Sequence, residues 1–427
     1  MGLVLYLAFL GRSGRTMSFP DVKPSKLINS NRAAFWIPGF AMASWGPFIP
    51  YVKERFALTE DHLGLLLMCL AVGAALAMAG ASYLINKFGC RAVVRAGAVV
   101  LALSLGAVTV IPDFYILAAD LLLMGFCSEC LSLAANINAG ALERKLERNI
   151  MSGLHGVYSL GNTAGVFIVA TFLSSGLTFM MGNLLLTSCV FSLVVILYCG
   201  LIASRYLITD TSEFNQVDES SEDGAAHHKV FITKLIFMLG LICFIMFMVE
   251  GAMMDWTGVL LNEVKGVPLS EAGYGFAAFA AMMTVCRLTG DKIVATLGRR
   301  RVLVMGSIFA ACGIALAVMV PHPMVTLVGL GMVGVGAANL VPQTISYAAT
   351  ERRIPIARSI LIVNAIGYIG VLLGPALIGF VAHRIGLENT FLILACMVLC
   401  VAVISYFNVR SGSIAELNAA AKAQHSA

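Results

Sequence analysis

The chain has 427 residues, of which 59% are hydrophobic and only 12% are charged, with a formal net charge of +5. Soluble globular proteins carry about 25% charged residues, so this composition excludes a water-soluble enzyme with a conventional core. A helix that crosses a bilayer needs about 20 mostly apolar residues, and apolar runs of that length recur along the sequence. Barrel strands would instead alternate apolar and polar residues over about 10 positions. We therefore predict an all-α polytopic membrane protein.

Charged residues or Gly and Pro bound twelve apolar runs, which predict twelve transmembrane helices. They fall at 33–52, 63–85, 96–112, 115–141, 154–176, 183–203, 235–258, 272–294, 302–320, 324–348, 359–382 and 390–408. The polar, acidic stretch 204–233 has the composition of a solvated linker. We predict a tail at 1–32, a six-helix half at 33–203, the linker, a second half at 234–408 and a tail at 409–427.

The basic residues predict the orientation in the membrane. The predicted side of the N-terminus holds 23 of the 28 lysines and arginines, whereas the other side holds Lys53, Arg55, Lys265 and Arg384. Because cytoplasmic loops carry the excess of positive charge, we expect both termini in the cytoplasm. We also expect a monomer in the cell (inner) membrane, with no cofactor and no nucleic-acid partner.

The cysteines and histidines give no strong metal or redox signal. Cys127 and Cys130 form a C-x-x-C pair in the middle of the fourth run, where small residues usually pack helices. His227 and His228 lie in the linker, and an isolated pair in a flexible segment rarely binds a metal. We therefore expect no metal site and no disulfide framework.

Glycines recur at a fixed offset, which indicates an internal duplication. Five glycines reappear 209 positions later: Gly64, Gly89, Gly97, Gly161 and Gly165 correspond to Gly273, Gly298, Gly306, Gly370 and Gly374. The offset is close to half of the chain length. Two parallel six-helix halves with a site near the membrane midplane are typical of secondary transporters.

Two basic loops occupy matching positions in the halves. The one after the second run contains Asn86, Lys87, Gly89 and Arg91, and its counterpart contains Asp291, Gly298, Arg299 and Arg300. Both resemble the G-x-x-x-D-R-x-G-R-R loop of the major facilitator superfamily, with Ser82 in place of the first Gly and with Asn86 and Ala295 in place of the Asp. The resemblance implies a gating role, in which the cations close onto helix ends in one conformation. The alternative is that they are ordinary basic anchors of the topology.

Longer stretches narrow the resemblance. They are Ala43–Glu54, Asn149–Gly161, Glu250–Trp256, Arg287–Asp291 and Gly334–Pro342. These are similar to the rhizopine-transporter-like (MosC-type) branch of the superfamily, which is related to fucose permease, and the similarity covers about 33–408. It implies two pseudo-symmetric six-helix halves that work by alternating access, with a sugar-like, cyclitol-like or rhizopine-like solute.

Acids inside the predicted spans are candidates for proton coupling, because charge is costly in lipid. Glu129 lies near the middle of the fourth run, and burial there disfavours its charged form. Ser132, Asn136 and Glu143 follow it on one helical face. Fucose permease also uses a fourth-span carboxylate, which makes the placement of Glu129 similar. The alternative for Glu129 is a hydrogen-bonded structural carboxyl.

Further ionisable residues lie in the seventh and eighth runs. Glu250 is either a proton or solute site or a brace for the start of the second half. Asp255 is interpreted as an outer-end cap or a gate. Arg287 needs a partner in this setting, and we expect Asp291, four residues later, to form a structural or gating pair with it.

Neutral polar side chains form stripes that suit a polyhydroxylated solute, because they donate and accept hydrogen bonds without burying net charge. The candidates are Asn136, His155, Asn162, Asn339, Gln343, Asn364 and Tyr368, with Ser159 and Ser346 beside them. Each could instead join helices, at about 0.6 kcal/mol per contact. Trp45 and Trp256, 211 positions apart, could stack on a sugar ring or lie in the interfacial aromatic belt.

These observations predict a proton-coupled symporter of a small polar organic solute. The runner-up is a proton antiporter that exports drugs or metabolites, although the fifth run lacks the Gly-Pro pattern of proton-driven drug exporters. A non-transporting sensor is a weaker alternative. No phosphate-binding loop or hydrolase motif suggests an enzyme.

Overall fold

The computed structural model describes residues 22–146, 150–175, 184–203, 206–207, 233–348, 350–351 and 356–409. Most of the predicted linker, including His227 and His228, and most of both predicted tails lie outside these ranges. So does the side chain of Asp291, although its backbone is described.

All regular structure in these ranges is helical. The helices are α1 Pro24–Trp45, α2 Ile49–Arg55, α3 Glu60–Ala107, α4 Phe114–Leu146, α5 Met151–Ser175, α6 Leu184–Ala203, α7 Lys234–Val259, α8 Tyr274–Leu288, α9 Gly290–Leu297, α10 Arg299–Met319, α11 Pro323–Ala337, α12 Leu340–Ala348, α13 Ile356–Ile385 and α14 Leu387–Asn408. Short 3-10 turns occupy Gly46–Phe48 and Leu269–Glu271, and a π turn, Leu260–Val264, extends α7.

Nine helical segments in the described ranges are long and apolar enough to cross a membrane. One of them, α3, contains two predicted spans, because Gly89 interrupts its helical geometry. The first and sixth predicted spans, which correspond to α1–α2 and α6, are not among the nine. The all-α polytopic fold is therefore confirmed, while the count of twelve spans stays a prediction.

The described residues divide between two compact units. Unit 1 comprises Met1–Phe231 with Pro268–Tyr274, and unit 2 comprises Ile232–Val267 with Gly275–Ala427. Within unit 1, α3 packs mainly against α4, and α1 against α5. Within unit 2, α7 packs against α13, and α10 against both α11 and α14. The α1–α5 and α7–α13 pairs join predicted spans one and five and spans seven and eleven, so the units repeat this pairing.

Close backbone contact explains one pair of the recurring glycines. A Cβ on Gly161 of α5 would lie 2.7 Å from the Trp36 carbonyl oxygen of α1. Its repeat partner, Gly370 of α13, faces the Phe244 carbonyl of α7 closely enough that a Cβ would collide with it. Because neither position has room for a side chain, the glycines set the distance between the paired helices.

The backbone conformation repeats at the same offset. Gly89 has φ 79° and ψ 157°, and Gly298, 209 positions later, has φ 80° and ψ 149°. Ala57 and Gly266, also 209 apart, have φ values of 49° and 67°. Positive φ is uncommon outside glycine, so these matches support the duplication independently of sequence identity.

Two cations on the predicted outer side cap neighbouring helix ends. In unit 1, Arg55 Nη1 and Nη2 donate to the Thr109 and Val108 carbonyls, each at 2.8 Å. In unit 2, Lys265 Nζ donates to the Val318 carbonyl at 2.6 Å. The last carbonyls of a helix lack intrahelical partners and carry its negative dipole end. These cations therefore have structural roles at corresponding places in the two units.

Candidate functional site

A charged pair lies between helices of unit 2. Arg287 Nη2, at the end of α8, donates to both carboxylate oxygens of Glu250 in α7, at 3.1 and 3.2 Å. The two side chains are 32% and 22% exposed, respectively. Each group offsets the cost of placing the other in an apolar protein region. Glu250 is therefore held in an ion pair in this conformation.

Arg287 thus has a described partner other than the expected one, Asp291, whose side chain lies outside the described residues, so the pair with Asp291 stays a prediction. Here α8 ends at Leu288, Thr289 lies between helices, and α9 begins at Gly290. The partner that the structure describes for Arg287 is Glu250 of α7, 37 positions earlier in the chain.

A second interrupted helix faces the first. The predicted tenth span divides into α11 and α12, with Ala338 and Asn339 between them. Pro342 lacks an N–H, so the Ala338 carbonyl cannot receive the helical bond from residue 342. Arg287 Nε donates to that carbonyl at 3.3 Å. In return, Asn339 Nδ2 donates to the Cys286 carbonyl of α8 at 3.4 Å.

The other members of the predicted Asn339 stripe contact a cation. Arg299, at the start of α10, donates from Nε to Gln343 Oε1 at 3.2 Å and from Nη2 to Ser346 Oγ at 2.9 Å. Its guanidinium carbon lies 5.6 Å from the centre of the Tyr347 ring, and the residue is 4% exposed. The structure therefore joins a predicted gating residue, Arg299, to a predicted solute residue, Gln343. In this conformation the side-chain oxygen of Gln343 therefore already accepts a hydrogen bond from the protein itself.

Unit 1 contains a different acid. Glu129 in α4 is partly buried, and no hydrogen bond or ion pair of its carboxylate is found among the side chains that the structure describes. Two predicted neighbours on its face act locally. Asn136 Nδ2 donates to the Ser132 carbonyl of its own helix at 2.8 Å. Glu143 accepts from the Ile150 and Met151 N–H groups at 2.6 and 2.8 Å, capping the start of α5.

Sequence reasoning missed a further acid in α4. Asp120 is hydrogen-bonded to the Ser104 hydroxyl of α3, and its Oδ2 is buried without a partner in the described part of the chain. It lies nine residues before Glu129, which places it half a helical rotation away, on the opposite face. Its position inside an apolar run was the signal that could have found it.

The remaining polar candidates are distributed over both units. In unit 1, the exposed His155 ring lies edge-on to Phe35, with ring centres 5.2 Å apart. Asn162 Oδ1 is buried without a described partner. In unit 2, Asn364 Nδ2 donates to the Ile360 carbonyl of its own helix at 3.0 Å, and Tyr368 is partly buried.

The two repeated tryptophans are both fully buried. Trp45 and Trp256 are each 0% exposed, and neither indole N–H has a described hydrogen-bond partner. In this conformation, therefore, neither ring faces an open cavity or the interfacial belt, which are the two environments expected for them. Asp255, beside Trp256, is also buried, with 5% of its surface exposed.

The predicted gating loops show local contacts. The Lys87 ammonium lies over the Tyr83 and Phe88 rings of its own segment, and Arg300 lies 4.2 Å from the centre of the Tyr406 ring of α14. Asn86 and Arg91 are partly buried beside Gly89. Gly89 and Gly298 provide the turns described above. Their gating role stays a prediction.

A family model described as the Major Facilitator Superfamily matches residues 33–358 and 297–426. The chain belongs to the major facilitator superfamily. Among curated proteins, this superfamily member is 36% identical over 373 residues to an uncharacterised MFS-type transporter of Yersinia pestis, covering 87% of this chain and 93% of the relative. It is 27% identical over 391 residues to the membrane protein MosC of Rhizobium meliloti, covering 90% and 91%. The predicted resemblance to the MosC branch is thereby confirmed.

Solved structures agree with this fold. A D-xylose-proton symporter superposes with a TM-score of 0.69 at 12% identity, covering 91% of this chain and 98% of that one. A nucleoside transporter, NupG, superposes with a TM-score of 0.63 at 14% identity, covering 91% and 99%. At such identities the similarity shows the fold alone. Together with the curated relatives, it identifies this superfamily member as a multi-pass membrane transporter.

Proposed function

We propose that this transporter moves a small polar organic solute, of the sugar, cyclitol or rhizopine class, together with protons across the inner membrane by alternating access. The Glu250–Arg287 pair carries the proposal. A carboxylate that exchanges a guanidinium partner for a proton can couple proton binding to a change of conformation, because protonation removes the ionic attraction.

The partly buried Glu129 of unit 1 is the second proposed proton site. It has no described partner to hold it ionised, and an acid in a membrane-spanning helix is by default a functional candidate. Within unit 1, the buried Asn162 Oδ1 has no described partner and offers a neutral hydrogen-bond acceptor of the kind that a polyol requires.

The solute class is tested first by thermal unfolding of the purified protein. Sugars, cyclitols and nucleosides are added separately, and a compound that binds the folded state raises the melting temperature. We expect stabilisation by sugars or cyclitols. Stabilisation by nucleosides alone would contradict the proposed class.

The coupling is then tested in proteoliposomes with the stabilising compound. An inward gradient of one pH unit supports about tenfold accumulation when one proton accompanies each solute. We expect Glu250→Gln and Glu129→Gln to abolish this accumulation while solute exchange at equal pH continues. Glu388→Gln is the matched control, because Glu388 is 50% exposed and lies 3.6 Å from Lys265.

Normal accumulation by both Glu250→Gln and Glu129→Gln would refute the coupling assignment. Sensitivity of deletion strains to lipophilic cations, without any uptake defect, would favour the exporter instead.

A further inference from the structure

The two interrupted helices of unit 2 are linked reciprocally by hydrogen bonds. Arg287 of α8 donates to the Ala338 carbonyl between α11 and α12, and Asn339, the next residue, donates to the Cys286 carbonyl beside Arg287. Two consecutive residues on one helix thus bond to two consecutive residues on the other. Each side chain reaches a carbonyl at the interruption of the opposite helix.

The sequence explains why these carbonyls accept side-chain donors. Pro342 removes the N–H that would bond to the Ala338 carbonyl. The Cys286 carbonyl lies in the last turn of α8, where intrahelical donors are missing, and Thr289 Oγ1 also donates to it at 3.4 Å. An unpaired buried carbonyl is costly, so both links stabilise the interrupted form.

The Asn339 side chain is buried against the interruption of the predicted eighth span. The residue is 8% exposed, and its Nδ2 is bonded to the Cys286 carbonyl. Its Oδ1 lies over Gly290, so closely that a Cβ at Gly290 would collide with it. Both ends of the amide therefore lie against the interruption of the predicted eighth span, Nδ2 at the end of α8 and Oδ1 at the start of α9.

We infer that Asn339 is a positioning residue, which holds the end of α8 so that Arg287 faces Glu250. This role is distinct from the solute contact predicted for Asn339, which stays a prediction. The positioning role has one functional consequence: loss of Asn339 should weaken proton coupling through Arg287. Only this consequence rests on the proposed function. The structural part of the inference does not require any solute to be known.

The test is a double-mutant cycle on the melting temperature of the full chain, purified in detergent without solute. We expect Glu250→Gln and Asn339→Leu each to lower the melting temperature by about 5 °C. The double variant should lie close to the lower of the two single variants, because Asn339→Leu already releases the arginine that Glu250 pairs with.

Asn364→Leu is the matched control. Asn364 is also an amide in a membrane-spanning helix of unit 2, but it donates to its own helix. Its effect should add to that of Glu250→Gln. The pH profile of the melting temperature gives a second readout: we expect Asn339→Leu to approach the profile of Glu250→Gln, and Asn364→Leu to keep that of the unmodified protein.

Pro342→Ala is a variant of another kind, because it adds a backbone N–H at residue 342 instead of removing a polar side chain. The new N–H competes with Arg287 Nε for the Ala338 carbonyl, so Glu250→Gln should cost less in this background. If Asn339→Leu does not fold, the smaller change Asn339→Ala takes its place in the first cycle, and the Pro342→Ala cycle tests the Arg287 link to the Ala338 carbonyl. Additive shifts in the cycle of a folded variant, with an unchanged pH profile, overturn the positioning role. Failure of proton-driven accumulation alone would count against the proposed function and not against the positioning role.

Discussion

Unit 1 and unit 2 share a helical scaffold but differ in the residues at corresponding places. At the repeat offset of 209, Glu129 of unit 1 corresponds to Ala338 of unit 2, whose carbonyl receives Arg287. Arg287 itself corresponds to Met78, and Glu250 to Ala41. At these three pairs of positions, unit 2 therefore has a backbone acceptor, a cation and an acid, whereas unit 1 has one acid and two apolar residues. The pairing of helices is thus alike in the two units, whereas their ionisable groups differ.

A second corresponding position shows the same divergence. In unit 2, Gly313 and Gly329 are in such close contact that a Cβ on either would lie 2.6 Å from the other's carbonyl oxygen. Their counterparts in unit 1 are Ser104 and Asp120, which are hydrogen-bonded to each other. The same helix crossing is thus closed by backbone contact in one unit and by a polar bridge in the other.

The largest expected effect is on the ion pair. Arg287→Met leaves Glu250 without its cation, and we expect the free energy of unfolding to fall by about 3 kcal/mol. Glu129→Gln in unit 1 should change it by less than about 0.5 kcal/mol, because no described partner is lost. Thermal or denaturant unfolding of the purified variants measures both. If Glu129→Gln lowered the free energy of unfolding as much as Arg287→Met, the proposed difference between the two units would be wrong.

An intermediate effect is expected at the helix crossing. Gly313→Val forces a branched side chain against the α11 backbone and should cost about 2 kcal/mol. Ser104→Val removes one hydrogen bond to Asp120 and should cost about 1 kcal/mol. Equal losses in an unfolding assay would mean that the crossing in unit 1 is as tightly packed as that in unit 2.

The smallest effect concerns the paired positive-φ residues. Ala57→Gly should stabilise the protein by less than about 1 kcal/mol, because glycine adopts this conformation without strain. Gly266→Ala should destabilise it by about 1 kcal/mol at the corresponding place. The two shifts in melting temperature should have opposite signs. Shifts of the same sign would show that the two turns are not equivalent.

Sequence patterns predicted the fold better than the contacts of the site. Recurrent glycines identified the duplication, because helix packing and positive φ both constrain those positions. The partner of Arg287 was not predictable from spacing. The orientation of Arg287 depends on the interruption at Thr289 and on its hydrogen bond to the Ala338 carbonyl. That carbonyl is 51 positions away in the chain, and it is available because Pro342 has no N–H. Similarly, no local pattern links Arg299 to Gln343, since their contact depends on how α10 and α12 pack.

The capping of α3 and α10 by Arg55 and Lys265 bears on how a solute meets the predicted outer face. Of the four cations assigned there, these two are bonded to carbonyls at negative helix ends, and Lys53 pairs with Glu60 at 3.0 Å. Each of these contacts places the cation beside negative charge or partial charge of the protein itself. Three of the four cations predicted on that face are therefore engaged within the protein, where they stabilise helix ends and an ion pair rather than present free positive charge to a solute.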